Sequence, residues 1–125
     1  MGTIRNEMTI VHHWKKDALE KLREDAIKTF KEVAIERDKD IIDRMVSPIM
    51  ESFINREYTF VINGDCSKDG WDTATRFHKA RIEWCKKHKD DVEAIVVINF
   101  GEGDKPCSKV FDSTGYDEVV NENSN

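Results

Sequence analysis

The sequence predicts an α+β domain in which two N-terminal helices precede a β-α-β-β unit with a small mixed sheet. Apolar residues recur at helical spacing through the first half of the chain. Two runs rich in β-branched and aromatic residues, YTFVIN and VEAIVVINF, mark strands in the second half. Between those runs lie a polar loop and one more amphipathic segment.

The first helix is expected from about Thr9 or Asp17 to Glu36. Ala18, Leu22, Ala26, Phe30, Val33 and Ala34 fill one face at 100° per residue, with Leu19 and Ile27 on its flanks. Glu20, Lys21, Glu24, Asp25 and Lys28 occupy the opposite face. Lys21–Asp25 and Glu24–Lys28 are opposite-sign i,i+4 pairs, each contributing about 0.2–0.5 kcal/mol. The run Arg37-Asp38-Lys39-Asp40 breaks the stripe, and a second helix is expected to about Ile54. Its apolar side carries Ile42, Val46, Ile49, Met50 and Phe53. Ser47-Pro48 reads as a cap followed by proline at the first helical position, so this helix restarts or kinks there.

Residues 58–63 form the first expected strand, followed by the polar 64–70 loop (GDCSKDG). Asp72 or Asp69 then caps a helix to about Lys89. Residues 92–100 form an apolar strand, Gly101-Glu102-Gly103-Asp104 a turn, and residues 107–112 a third strand in a hairpin with the second. If the first two strands were neighbours, the helical crossover between them would make them parallel. One domain over 1–116 and an acidic tail over 117–125 are expected.

With 125 residues the chain has the length of one domain and can bury roughly two-thirds of its unfolded surface. It is 36% charged and 38% hydrophobic, a folded core under a charged skin. The net charge of −5 argues against indiscriminate nucleic-acid binding. The charge is uneven: residues 1–56 carry 11 basic and 11 acidic side chains, 57–90 carry 7 and 6, and 91–125 carry 2 and 8. Cys66, Cys85 and Cys107 are too few and too scattered for a disulfide framework. With no apolar leader or spanning segment in view, the expected compartment is the reducing cytoplasm, without membrane association.

Chemistry is sparse. Arg81 falls in the middle of the apolar face of the 72–89 helix, which also carries Ala74, Phe77, His78, Trp84, Cys85 and His88. A charge there needs a partner. Arg81 either lays its stem along the core and pairs with a carboxylate, or faces a pocket or subunit seam and binds an anion. With His78, and with Ser67 and Lys68 of the loop, it forms the candidate anion or small-ligand site. The loop lacks the Gly-Lys-Ser/Thr ending of a phosphate loop and the GxGxxG spacing. Cys85 and His88 at i,i+3 are weak metal candidates, and Cys66 and Cys107 would complete a Cys3His set. Only one close ligand pair is present, so neither metal nor cofactor is expected. His12-His13 reads as a surface pair. Cys66, a histidine and Asp112 have no supporting nucleophile signature, which leans against an enzyme.

The short chain, the Lys/Glu-rich helices and the closing Lys109-Val110-Phe111-Asp112-Ser113 hairpin are similar in style, over the C-terminal half, to small accessory proteins of bacteriophages. That resemblance implies a phage or mobile-element protein that inhibits or modulates a host protein in the host cytoplasm. The leading expectation is therefore a protein-interaction module that self-associates as a homodimer, with Ile42, Val46, Ile49 and Phe53 as its partner surface. A small-ligand or nucleotide-binding domain built on Arg81, His78 and the loop, with or without catalysis, is the alternative. A nucleic-acid binder using the basic 76–89 helix is the third reading, although nucleic acid is not an expected partner.

Overall fold

The computed structural model describes residues 4–68, 70–101 and 105–114. In chain order it contains β1 (Glu7–His13), α1 (Lys16–Val33), a 3-10 turn (Glu36–Asp38), α2 (Lys39–Met45) and β2 (Met50–Glu51). These are followed by β3 (Tyr58–Ile62), α3 (Asp72–His88), β4 (Ala94–Asn99) and β5 (Ser108–Asp112). The strands form one antiparallel sheet in the order β2-β3-β1-β4-β5. The α+β class stands, but two N-terminal helices followed by β-α-β-β with a mixed sheet do not. A strand opens the described chain and lies at the centre of the sheet.

The helical stripe obscured β1. Its inward residues are Glu7, Thr9, Val11 and His13, all buried, whereas Met8, Ile10 and His12 on the other face are half-buried. Polar groups at two ends of the inward set hide the period-2 signal. Thr9-Ile10-Val11, a β-branched run, was the remaining cue.

The second predicted helix is also shorter than expected. It ends at Met45, because Val46 is extended (φ −101°, ψ 119°) and Ser47 precedes a proline, which disfavours helical backbone. Instead of restarting a helix, this segment runs beside β3. The Ser47 N–H donates to the Val61 carbonyl at 2.9 Å, and the Val61 N–H donates to Ser47 Oγ at 2.9 Å. Pro48 is tolerated because this edge needs no N–H from it. Helix α1 likewise stops at Val33, short of Glu36, as Ala34 turns extended.

β3 and β4, joined through α3, run in the same direction but are not neighbours. β1 lies between them, antiparallel to both. From β1 to β4 the connectivity is the split β-α-β arrangement, also called ferredoxin-like, with α2 inserted and β5 added at one edge. This connectivity carries no function of its own.

The core lies between the sheet and the helices. Leu19, Phe30, Phe60, Ile62, Ile95 and Val97 are fully buried, each contributing roughly 1.5–3 kcal/mol. Leu19, expected on the flank of α1, is in the core, and Ala18 is only half-buried. The α1–α3 contact is pinned by Asp25, which accepts from Trp84 Nε1 at 3.0 Å and pairs with His88 Nε2 at 2.9 Å. Burial alone would raise the Asp25 carboxyl, but hydrogen bonds from His88 and Trp84 and the charge of Lys87 hold it below its usual range.

No described helix is long and apolar enough to cross a membrane. The expected acidic tail at 117–125, three residues of the Gly101–Asp104 turn and the Asp69 cap lie outside the described residues. The other expected cap, Asp72, is instead the first residue of α3, and Trp71 occupies the cap position without a side-chain hydrogen bond.

Candidate functional site

The candidate site residues from the sequence gather at the end of the sheet where β1 begins. Arg81 projects from α3 into the core and is 1% exposed. Its Nη1 donates to Thr9 Oγ1 at 2.7 Å and to the Ile62 carbonyl at 3.0 Å, and its Nη2 donates to the Asn63 carbonyl at 2.7 Å. Its Nε lies 3.9 Å from Glu7 Oε1, and its guanidinium carbon 5.4 Å from the centre of the Phe30 ring. Desolvation lowers the Arg81 pKa, and the nearby Glu7 carboxylate opposes that shift.

Glu7 is the residue that sequence reasoning missed. It is 4% exposed and accepts from His78 Nδ1, which lies 2.8 Å and 2.9 Å from its two oxygens. Arg5 Nη1 reaches the same carboxylate at 3.4 Å. Burial alone would raise the Glu7 carboxyl. The His78 hydrogen bond and charge, with Arg81 and Arg5, outweigh burial and hold it below the usual carboxylate range. Arg81 and His78 therefore do converge, through a carboxylate on a strand that the sequence did not announce.

The loop residues serve mainly to dock the loop on the segment that leads into β1. Arg5 N–H donates to the Ser67 carbonyl at 2.9 Å, and Ile4 bridges Lys68. Ser67 Oγ and N–H both donate to Asp65, closing a local turn. Lys68 lies over the Trp71 ring, with Nζ 5.7 Å from its centre. A β-carbon on Gly64 would lie 2.7 Å from the Glu7 carbonyl oxygen, so glycine permits this close approach.

The 76–89 helix presents less positive charge than its sequence suggests. Arg81 is buried, and Arg76 pairs with Asp72 at 2.9 Å and donates to the Val33 carbonyl. His88 gives both ring nitrogens to carboxylates, Asp25 and Asp91. Cys85 is fully buried, and desolvation pushes its thiol up to about 12, so it is a neutral thiol at neutral pH. Cys66 and Cys107 are exposed, and the Cys66 thiol is also raised by burial and by Asp65. Among the described residues the Cys3His set does not come together.

The four expected interface residues do not share one outward face. Ile42 and Val46 are buried in the chain's own core, and Ile49 packs partly against it. Phe53 is 100% exposed. It sits with Ile54, 66% exposed, at the tip of the β2–β3 hairpin. That tip is ordered by hydrogen bonds. Ser52 N–H donates to the Glu57 carbonyl at 2.7 Å, Glu57 N–H donates to Ser52 Oγ at 2.9 Å, and Ser52 Oγ donates to the Ile54 carbonyl at 2.7 Å. Asn55 and Arg56 turn the chain with φ of 72° and 49°. A left-handed Arg56 costs about 1 kcal/mol or more, so the surrounding turn has to hold it.

Beside the 64–70 loop lies a cavity of about 420 Å³, between α2, the 3-10 turn and the start of α3. Ile41, Ile42 and Phe77 supply apolar walls, and Arg37, Arg44 and Arg76 supply cations. Its volume is in the range of small-molecule sites. Arg37 and Arg44 were not singled out in the sequence, because the charged 37–40 run reads as a solvated break.

Comparison of the chain with protein-family models, with curated proteins and with solved structures finds no match to any of the three.

Proposed function

We propose that the protein is a protein-binding module that engages its partner through the β2–β3 hairpin tip. The supporting observation is the complete exposure of Phe53 on an ordered turn, with Ile54 beside it. Among the described residues none gives these side chains an internal contact surface. Burying them in an apolar pocket of a partner contributes about 1.5–3 kcal/mol each, the scale of an interface hot spot. The narrower reading, a phage or mobile-element inhibitor acting on a host protein in the host cytoplasm, rests on the resemblance in sequence style. The homodimer reading rests on the sequence as well, and its original seam is now reduced to Phe53.

The test is affinity capture from the source cells with wild-type, Phe53→Ser and Trp14→Ser baits, read by quantitative mass spectrometry, Trp14 being an exposed aromatic just after β1, away from the hairpin tip in sequence. The expected result is a stoichiometric protein retained by wild type and Trp14→Ser and lost with Phe53→Ser. Equal recovery of every protein by all three baits overturns the reading.

A second reading is favoured by the cavity. Its apolar walls and Arg44 suit a small organic anion, nucleotides included, although Asp38 and Asp65 also line it and Arg37 and Arg76 already pair with Asp38 and Asp72. Native mass spectrometry of protein purified without chelator distinguishes the two. A retained mass of small-molecule size, lost with Arg44→Ala, supports the ligand reading, and an unliganded chain or oligomer favours the interaction reading.

A further inference from the structure

His12 and His13 are adjacent on β1, so they project to opposite sides of the sheet. His13 is buried against the helices, and its Nδ1 accepts from the Glu93 N–H at 3.2 Å. His12 stands on the other face, in register with Thr59 of β3 on one side and Ala94 of β4 on the other. Two carboxylates reach it from just before those strands. Its Nε2 lies 2.7 Å from Glu57 Oε1 and 3.8 Å from Glu93 Oε1. One ligand atom from each of the three residues lies within 4.8 Å of the others, the single such group among the described residues. The side chains are 35%, 30% and 50% exposed, so an ion from solvent can enter.

We propose that His12, Glu57 and Glu93 form a binding site for a divalent transition-metal ion, with Zn²⁺ as the best fit. One imidazole nitrogen and two carboxylate oxygens are zinc donors, whereas Mg²⁺ and Ca²⁺ call for six or more oxygens. Tetrahedral zinc with bonds of about 2.0–2.1 Å separates its donors by roughly 3.3 Å. The observed separations of 2.7 and 3.8 Å bracket that spacing. Each carboxylate oxygen is therefore within about half an ångström of its ligating distance from Nε2, and the two carboxylate oxygens lie within 4.8 Å of each other.

Charge and orientation favour the same occupant. Two carboxylates facing one imidazole leave at least one negative charge uncompensated, even with the ring protonated, and a dication cancels both. His12 Nδ1 lies 2.8 Å from Thr59 Oγ1. Without metal, Nε2–H donates to Glu57 and the threonine hydroxyl can donate to Nδ1. With metal on Nε2, the proton sits on Nδ1 and donates to the same hydroxyl. Thr59 thus holds the ring in the ligating orientation, the usual outer partner of a metal-bound histidine. The ion would tie three adjacent strands together and leave a fourth position for solvent. Glu57 also closes the turn that carries Phe53, so occupancy braces the root of the hairpin. The metal site does not depend on what that hairpin binds.

The test uses the full chain carrying Cys66→Ser and Cys107→Ser, which removes exposed thiols as competing ligands. Calorimetric titration with ZnCl₂ is expected to give one ion per chain, accompanied by a rise in melting temperature, and MgCl₂ neither. X-ray absorption of the zinc-loaded chain is expected to show a nitrogen/oxygen shell at about 2.0–2.1 Å and no sulfur near 2.3 Å. His12→Ala and Glu93→Gln each weaken binding by more than tenfold. Thr59→Val keeps all three ligands and weakens it by about tenfold. Glu93 is half-exposed, so Glu93→Gln folds whatever His12→Ala does. No zinc uptake, or uptake unchanged by Glu93→Gln, overturns the proposal.

Discussion

Arg81 and Phe53 reverse the usual partition of side chains. The arginine is 1% exposed and the phenylalanine 100%. The two exceptions have different physical causes. Arg81 is explained from within: Thr9, two main-chain carbonyls and Glu7 replace the water it lost. Phe53 has no such explanation among the described residues, since its turn is ordered yet none of them covers its ring. A buried charge with all its partners at home reports on stability. An exposed apolar tip on a held turn is what the proposed partner contact rests on.

The largest expected effect tests the inner half of that contrast. Arg81→Met leaves Glu7 in the core without its deepest cation and removes the guanidinium donors from the Ile62 and Asn63 carbonyls. A loss of about 3–5 kcal/mol is expected, read by chemical denaturation. A loss below about 1 kcal/mol would mean that the guanidinium is dispensable to the core.

Gly64→Ala comes next. The added β-carbon meets main-chain oxygen and nitrogen of Glu7, which cannot move without disturbing β1. A cost of about 1–3 kcal/mol is expected.

Glu7→Gln keeps the shape and removes the charge, with an expected cost of about 1–3 kcal/mol at neutral pH. The pH dependence sharpens it. The folded-state pKa of Glu7 is depressed, so its contribution is complete above the unfolded value near 4.5 and is lost as pH falls through the lower folded value. The stability gap between wild type and Glu7→Gln should therefore narrow below about pH 4.5. A gap that stays constant down to acid unfolding would show that the ionisation of Glu7 does not set its contribution.

Phe53→Ser should have the smallest effect on the fold, within about 0.5 kcal/mol, while abolishing partner capture. A large loss of stability would place Phe53 on the same side of the comparison as Arg81.

Much of the second half of the chain was legible. The strand at Tyr58–Ile62, the helix at Asp72–His88 and the β4–β5 hairpin lie within a few residues of their expected bounds. Each is long enough for a clear period and bounded by turn residues. Arg81 in the middle of a buried face was also legible, because helical geometry alone puts it between Phe77 and Trp84. The strand at Glu7–His13 was not, since its inward set mixes Glu, Thr, Val and His. Nor was the extended run after Met45. Its apolar residues have near-helical spacing, but they are held by hydrogen bonds to Val61 from a distant part of the chain.

The sequence by itself therefore determined the class of the fold, the core-facing side of α3 and the anomaly of Arg81, all of which follow from local periodicity. The tertiary structure alone decided that β1 lies between β3 and β4. It also decided that Glu7 is the carboxylate shared by Arg81 and His78, and that His12, Glu57 and Glu93 meet. Glu7 and His78 are 71 residues apart, and His12 and Glu57 are 45 apart. Side-chain spacing reports only on neighbours within a few turns, whereas strand pairing is a bargain between distant segments that no local period records.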